Sequence, residues 1–142
     1  MDFHYIHTSY LAPYYLPEPN SEIVEKRLLR LPGGSSVISP LVRAEFASLL
    51  SRKCRAKEMA EEDARRTMTA LDRHLSEGII RMVSVAPRDF GQATEWIMAM
   101  KQPLRALDAI HLAVAARQDA VLWTLDRALA RAARWIGLKT RR

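Results

Sequence analysis

The chain alternates short apolar runs with longer amphipathic segments, and these two patterns predict strands and helices in turn. Apolar, β-branched and aromatic residues predict four strands, at residues 3–6, 36–39, 79–85 and 120–125. Longer segments with helical spacing separate them. Strands that alternate with helices favour an α/β fold, with a parallel sheet joined by right-handed crossovers. In such a sheet, ligands bind outside the carboxyl ends of the strands.

Proline, glycine and capping residues set the ends of the predicted helices. Pro40 fits the first turn of a helix because its missing N–H costs little there, and Gly78 fits the end of one. The segment 105–118 is apolar almost all round and should be largely buried. The predicted helices span residues 9–19, 21–31, 40–55, 58–77, 87–100, 105–118 and 126–136.

Composition places the chain among globular proteins of one domain. Its 142 residues are of ordinary domain size, and 49% of them are hydrophobic, which is enough for a buried core. The net charge of +6 suits a polyanionic partner such as nucleic acid or an acidic peptide. Cys54 is the single cysteine and cannot form an internal disulfide, so a reducing cytoplasm is the expected location. The sequence predicts neither a membrane span nor a signal peptide.

Two acids lie in helical rows that are otherwise apolar. Glu45 and Asp108 each have a leucine four positions away on both sides. A buried carboxylate is costly without a partner or a metal ion, so both positions are candidates for chemistry. The alternative for Glu45 is a surface ion pair with Arg43 or Arg52. The alternative for Asp108 is stabilisation by the N-terminus of its own helix.

Other polar residues near strand ends have both a structural and a functional interpretation. Asp126 and Ser9 are each suited to cap the helix that follows. Each could instead face a site at the carboxyl edge of the sheet, with the hydroxyl of Thr124 beside Asp126. His111 is most simply a histidine at the edge of the core that bonds a backbone carbonyl, and the alternative is a ligand role.

His7 ends the first predicted strand, at a polar corner that leads into the first helix. In a parallel sheet, the positions of His7, Glu45, Asp108 and Asp126 can converge on one edge. Carboxylates that lie close together resist ionising together, and a bound divalent cation resolves that conflict. Oxygen ligands favour Mg²⁺ or Mn²⁺ over zinc. Such a site suits the hydrolysis of phosphodiester bonds.

Four segments of the chain together resemble a known family. In order and spacing, YIHTSYLAPYYLPEPNSE, SSVISPLVRAEFASLLSRK, LRALDAIHLAVA and LWTLDRALARAARWIGLK are similar to PIN-domain ribonucleases, above all the VapC toxins of bacterial type II toxin–antitoxin modules. The resemblance implies a single PIN domain over residues 1–142, built as a three-layer α/β/α sandwich. It also implies a homodimer and an endoribonuclease that depends on Mg²⁺ or Mn²⁺. The implied partners are a VapB-type antitoxin and RNA of the tRNA or rRNA class.

Carried over by position, the family's site leaves one mismatch in this chain. Three family acids and two hydroxyl positions fall on matching residues, namely Glu45, Asp108 and Asp126 with Ser9 and Thr124. The family's first acid, an Asp, falls on His7. An imidazole there removes one oxygen ligand and one negative charge. Weak Mg²⁺ binding and low or absent nuclease activity are therefore expected.

Three explanations of His7 are open at this point. It could be a disabling substitution made so that a toxic protein can be expressed, a feature of a naturally silenced relative, or a change that retunes the site towards Mn²⁺ or a softer ion. Under each of them, His7 could also hydrogen-bond Asp108 or Asp126 and fill space. The rival function is a PIN-like module that binds RNA or antitoxin without cleavage.

Basic residues near the end of the chain are candidates for phosphate contacts. Arg127, Arg131 and Arg134 share one face of the last predicted helix. Contacts of this kind would position RNA without reading its sequence, and a solvated basic face is the simpler alternative. Arg105, one turn before Asp108, is the better candidate for a contact with RNA or antitoxin.

Overall fold

Five parallel strands form the central sheet of the protein, whose computed structural model describes residues 2–142. They are β1 (His4–Ile6), β2 (Ser36–Ile38), β3 (Ile80–Met82), β4 (Val121–Trp123) and β5 (Thr140–Arg141). The order across the sheet is β3-β2-β1-β4-β5, so β1 is the middle strand. Because every neighbouring pair is parallel, all the carboxyl ends lie at one edge.

Within residues 2–142, seven helices connect or flank the strands. They are α1 (Thr8–Tyr15), α2 (Ser21–Leu29), α3 (Pro40–Arg55), α4 (Glu61–Ser76), α5 (Pro87–Met98), α6 (Ala106–Arg117) and α7 (Arg127–Trp135). The chain moves outward from β1 to β3 through α1–α4, and then crosses to the other side of β1 through α5 and α6. Right-handed crossovers in opposite directions place these two groups of helices on opposite faces of the sheet. The result is the expected α/β/α sandwich.

The core lies on both faces of the central strands. Tyr5, Ile6, Val37, Ile38 and Leu122 are each at most 1% exposed, as expected for a parallel sheet that helices cover on two sides. The middle of α6, residues 109–115, is buried without interruption, which confirms the buried helix predicted there. No helix among residues 2–142 combines the length and apolarity needed to cross a bilayer.

The structure differs from the sequence prediction mainly at the ends of elements. The third strand is only Ile80–Met82, and α4 and α5 are shorter than predicted. No pattern in the sequence predicted β5, which follows Gly137 (φ +90°) and pairs with β4 through the register Leu122↔Thr140. A two-residue strand is too short to contain an apolar run from which it could be predicted. Only its backbone pairing with β4 defines it.

Candidate active site

His7 immediately follows β1 and is fixed by side chains of two neighbouring elements. Its Nδ1 lies 2.9 Å from Ser9 Oγ and 3.0 Å from Thr124 Oγ1. The same nitrogen accepts a longer bond, 3.4 Å, from the backbone N–H of Ser9 and so caps α1. The expectation that His7 bonds Asp108 or Asp126 is wrong: within residues 2–142 its side chain bonds Ser9 and Thr124 instead.

Burial determines the charge of His7. The ring is 8% exposed, and loss of solvation followed by repulsion from His111 lowers the pKa of His7 to about 4. The negative charges of Glu45 and Asp126 act in the opposite direction but are outweighed. The imidazole is therefore neutral near pH 7, where an aspartate at this position would carry a negative charge.

The two hydroxyls that the family resemblance assigned to the site link the ends of β1 and β4. Ser9 Oγ accepts the backbone N–H of Leu125 at 2.9 Å, and Thr124 Oγ1 accepts that of Asp126 at 3.0 Å. The hydroxyls also bond one another at 3.0 Å. Ser9 does not cap α1 with its side chain, since His7 does so. Both hydroxyls instead hold the loop that carries Asp126 against the loop that carries His7.

Glu45 points from α3 into the site, and one of its two oxygens is fully engaged. Its Oε1 accepts the Thr8 hydroxyl at 2.6 Å and lies 2.7 Å from His111 Nε2. Burial would raise the pKa of Glu45, but the interactions with His111 and Thr8 outweigh burial and hold this pKa below its usual value. Oε2 makes no hydrogen bond within residues 2–142, so an ionised oxygen remains free for a ligand. The surface ion pair considered for Glu45 is not formed, and Arg43 pairs with Asp72 instead.

His111 connects the site to the core. It is 0% exposed, and its Nδ1 lies 2.8 Å from the hydroxyl of Tyr5, which in turn lies 2.8 Å from Ser39 Oγ. Because an ionised Glu45 can only accept, His111 donates from Nε2, and in the neutral ring Nδ1 then accepts from Tyr5. Burial raises the pKa of Tyr5, which keeps its hydroxyl protonated and able to donate. The expected bond from His111 to a backbone carbonyl is absent from this part of the structure, where side chains take both ring nitrogens.

Asp108 and Asp126 complete the set of acids at this edge. Asp126 Oδ1 accepts the N–H of Leu129 at 3.0 Å and caps α7, as its structural interpretation predicted. Asp108 lies in the first turn of α6. Burial, and then repulsion from Asp126, raise the pKa of Asp108, with a smaller contribution from Glu45. Asp126 is therefore close enough to Asp108 to oppose the ionisation of Asp108.

The most compact group of ligand atoms differs from the predicted one. Within residues 2–142, one ligand atom each from His7, Glu45 and His111 lies within 4.8 Å of the other two, and this group includes neither Asp108 nor Asp126. Sequence reasoning placed His111 in the core and missed its contact with Glu45. The available signal was its spacing: His111 follows Asp108 by three positions and so lies on the same side of α6.

Basic side chains lie beside one of the acids, Asp126. Arg127, Arg131, Arg134 and Arg141 line an open groove that also includes Asp126. Among residues 2–142, none of these four arginines forms an ion pair. The groove thus offers uncompensated positive charge beside the candidate site.

Arg105 lies near Asp108. It is the N-cap residue of α6, and its charge lowers the pKa of Asp108, although burial and Asp126 prevail. Its side chain makes no capping hydrogen bond, and the residue is exposed. The guanidinium therefore acts on Asp108 without a capping role at the helix end.

Comparison with known proteins gives one family match. Residues 5–134 match the family model described as the PIN domain, while no curated protein sequence matches significantly. Among solved structures, VapC20 of Mycobacterium tuberculosis, described as a toxin that cleaves the sarcin-ricin loop, has a TM-score of 0.73 at 19% identity, over 91% of this chain and 94% of that one. FitAcB from Neisseria gonorrhoeae has a TM-score of 0.71 at 16% identity, over 99% and 97%. VapBC-1 from nontypeable Haemophilus influenzae has a TM-score of 0.71 at 15% identity, over 98% and 96%. At such identities, these structures show a shared fold.

Proposed function

This chain belongs to the PIN-domain family, and we propose that it is an endoribonuclease toxin of a type II toxin–antitoxin module whose metal site is impaired by His7. The proposal depends most on the convergence of Glu45, Asp108 and Asp126 at the carboxyl edge of the sheet. The raised pKa of Asp108 supports it, because carboxylates that repel one another are stabilised when a divalent cation lies between them. RNA phosphodiester bonds are the proposed substrate.

The three acids fit a divalent cation, and the fourth position does not fit Mg²⁺. Glu45 Oε2 and the carboxylates of Asp108 and Asp126 are oxygen donors of the kind that Mg²⁺ and Mn²⁺ prefer. His7 presents a neutral nitrogen where the family pattern has an anionic oxygen. A bound Mg²⁺ or Mn²⁺ would supply a polarised water and neutralise charge on the leaving oxygen. With His7 in place, we expect the Mg²⁺ site to be weak.

The residues around the acids have separate roles in this proposal. Thr8 and His111 both hold Oε1 of Glu45, which leaves Oε2 free to orient a water molecule in this proposal. Ser9 and Thr124 fix the two loops that carry His7 and Asp126. These contacts set the geometry in advance, which is how positioning lowers a barrier.

The basic groove provides a path for the RNA backbone up to the acids. Its arginines are unpaired by carboxylates within the described chain, and they adjoin Asp126. Phosphate contacts from these side chains would fix the position of the RNA without reading its sequence. Arg105, which is exposed and whose charge acts on Asp108, is a second proposed contact for the RNA backbone. RNA of the tRNA or rRNA class is the proposed substrate.

A VapB-type antitoxin is the proposed protein partner, and a homodimer is the proposed assembly. Similar folds occur in structures described as VapBC complexes and as a toxin–antitoxin complex. In this chain, exposed Arg105 and the basic groove offer positive charge to which acidic antitoxin side chains could bind. Occupation of that surface would exclude RNA. A cytoplasmic location is part of this proposal, since RNA and antitoxin would be met there.

The proposal is tested by RNA cleavage in a variant that restores the missing acid. His7→Asp should cleave RNA in the presence of Mg²⁺ or Mn²⁺. This cleavage should stop when EDTA is added. A second change, Glu45→Gln, should abolish that cleavage while RNA binding remains, because the amide keeps the shape but removes the charge. His74→Gln in the His7→Asp background is the matched control, since its ring lies against Tyr15 and outside the site.

The rival function, a silent module that binds RNA or antitoxin, is favoured by His7 alone. It predicts RNA or antitoxin binding that persists in EDTA, and no cleavage even by His7→Asp. Absence of cleavage by His7→Asp in a folded protein that binds RNA would therefore replace the nuclease proposal with this one.

A further inference from the structure

The same edge of the sheet contains a donor set that the acids of the family do not explain. His7, Glu45 and His111 each place one ligand atom within 4.8 Å of the other two. The two imidazole rings meet edge to face, with centroids 4.8 Å apart. Two nitrogens and one carboxylate oxygen suit zinc and similar first-row ions, whereas Mg²⁺ prefers oxygen.

We propose that His7, Glu45 and His111 bind a transition-metal ion of the zinc class through two imidazole nitrogens and one carboxylate oxygen. The site coincides with the proposed nuclease site and rests on that location, but not on RNA cleavage. Three protein ligands leave at least one position of a tetrahedral ion open to water or to a phosphate oxygen. His7 therefore changes which ion the site selects, in addition to weakening the binding of Mg²⁺.

Both histidines are anchored in the way that metal-binding histidines usually are. In such sites, the nitrogen that does not bind the metal is held by a hydrogen-bond partner that fixes the ring. Nδ1 of His7 is held by Ser9 and Thr124 at 2.9 and 3.0 Å. Nδ1 of His111 is held by Tyr5 at 2.8 Å. In each ring, Nε2 is the nitrogen left to face an ion.

The hydroxyl network can accommodate the proton shift that binding requires. Nε2 of His111 donates to Glu45 in the metal-free protein, so it must lose that proton to bind an ion. The ring stays neutral if Nδ1 takes up a proton in exchange. Nδ1–H then donates a hydrogen bond to the oxygen of Tyr5, while the Tyr5 hydroxyl donates one to Ser39 Oγ at 2.8 Å. Hydroxyl groups rotate to donate or accept as needed. The same rotation of Ser9 and Thr124 allows Nδ1 of His7 to carry its proton, with the loss of the long 3.4 Å bond from the backbone N–H of Ser9.

The test is a titration of the metal-free full chain with Zn²⁺ and with Co²⁺. We expect one ion per chain, a visible absorption spectrum of bound Co²⁺, and no displacement by excess Mg²⁺. The chain has four histidines, so imidazole NMR signals report the site directly. Zn²⁺ should shift the signals of His7 and His111 and leave those of His4 and His74 in place. Failure to bind Zn²⁺, or shifts confined to His4 and His74, would overturn the proposal.

Variants give an independent measurement. His7→Ala and His111→Gln should each weaken Zn²⁺ binding by more than about tenfold, since losing even an outer partner costs 10–100-fold. His74→Gln should bind as the unaltered chain does. Because His111 is fully buried, the NMR result on the unaltered chain decides the matter if His111→Gln fails to fold. Unchanged affinity in folded His7→Ala would contradict the site.

The outcome is separable from that of the nuclease proposal. Zn²⁺ binding by the unaltered chain without cleavage by His7→Asp supports this metal site alone. Cleavage by His7→Asp without Zn²⁺ binding by the unaltered chain overturns this metal site and leaves the nuclease proposal intact.

Discussion

His111 and Glu45 are joined by a 2.7 Å hydrogen bond between Nε2 and Oε1, although they lie on different helices, α6 and α3. Behind His111, the hydroxyl of Tyr5 holds the second ring nitrogen at 2.8 Å. The carboxylate that faces the site is thus fixed by a polar chain that begins inside the core. Disturbing that chain should alter both stability and the site.

Removing the hydroxyl of Tyr5 should destabilise the protein. Tyr5→Phe leaves Nδ1 of His111 and the hydroxyl of Ser39 without their shared partner, and each lost partner in a buried position costs about 1–3 kcal/mol. Chemical denaturation should show a lower free energy of unfolding. Tyr14→Phe is the control, because the Tyr14 hydroxyl makes no hydrogen bond within residues 2–142. Equal losses of unfolding free energy in the two variants would show that the hydrogen bonds of Tyr5 contribute nothing specific to stability.

Acid should destabilise the fold through His7. The pKa of His7 is about 4 in the folded protein against 6.5 for the free side chain, so the unfolded chain binds more protons between these values. The free energy of unfolding therefore gains up to about 3 kcal/mol as pH rises from 4 to 6.5, and loses it as pH falls. Denaturation in EDTA at several pH values measures this slope. His7→Gln should reduce it, while His74→Gln should leave it unchanged; a slope that persists in His7→Gln would contradict the assignment.

The ion pair of Asp89 and Arg117 should be a strong determinant of stability outside the site. Asp89 is 2% exposed and accepts Nε of Arg117 at 2.8 Å, which ties α5 to α6. Arg117→Ala leaves a buried carboxylate without its charged partner, at a cost of about 3–5 kcal/mol. The double variant Asp89→Ala with Arg117→Ala should recover part of that loss in thermal or chemical unfolding. No recovery would mean that the arginine acts through packing alone.

The basic groove should govern the salt dependence of RNA binding. Arg131→Gln with Arg134→Gln removes two phosphate contacts, so the slope of log affinity against log salt should fall by about 1.4 for single-stranded RNA. Filter binding of the His7→Asp, Glu45→Gln protein, which is not expected to cleave, measures that slope. Arg66→Gln with Arg73→Gln, exposed arginines on α4, is the matched control. An equal decrease of the salt-dependence slope in the control would show that RNA does not bind specifically in the basic groove.

The sequence predicted the architecture well because short β-rich runs alternate with helical segments along the chain and α6 is apolar almost all round. It also indicated Glu45 and Asp108, since each is an acid within an apolar row. It could not show that His111 holds Glu45, because that contact joins α6 to α3 across the fold. Neither β5 nor the bonds of His7 to Ser9 and Thr124 could be predicted, since backbone pairing and loop geometry determine them.

The central claim is that one residue, His7, limits the Mg²⁺-dependent activity of this site. The most direct test is the rate of RNA cleavage with Mg²⁺ by the unaltered chain and by His7→Asp, measured side by side on the same RNA. A gain of more than about 100-fold in His7→Asp is predicted, because losing even the outer partners of a metal site costs 10–100-fold. Equal and substantial rates in the two proteins would contradict it.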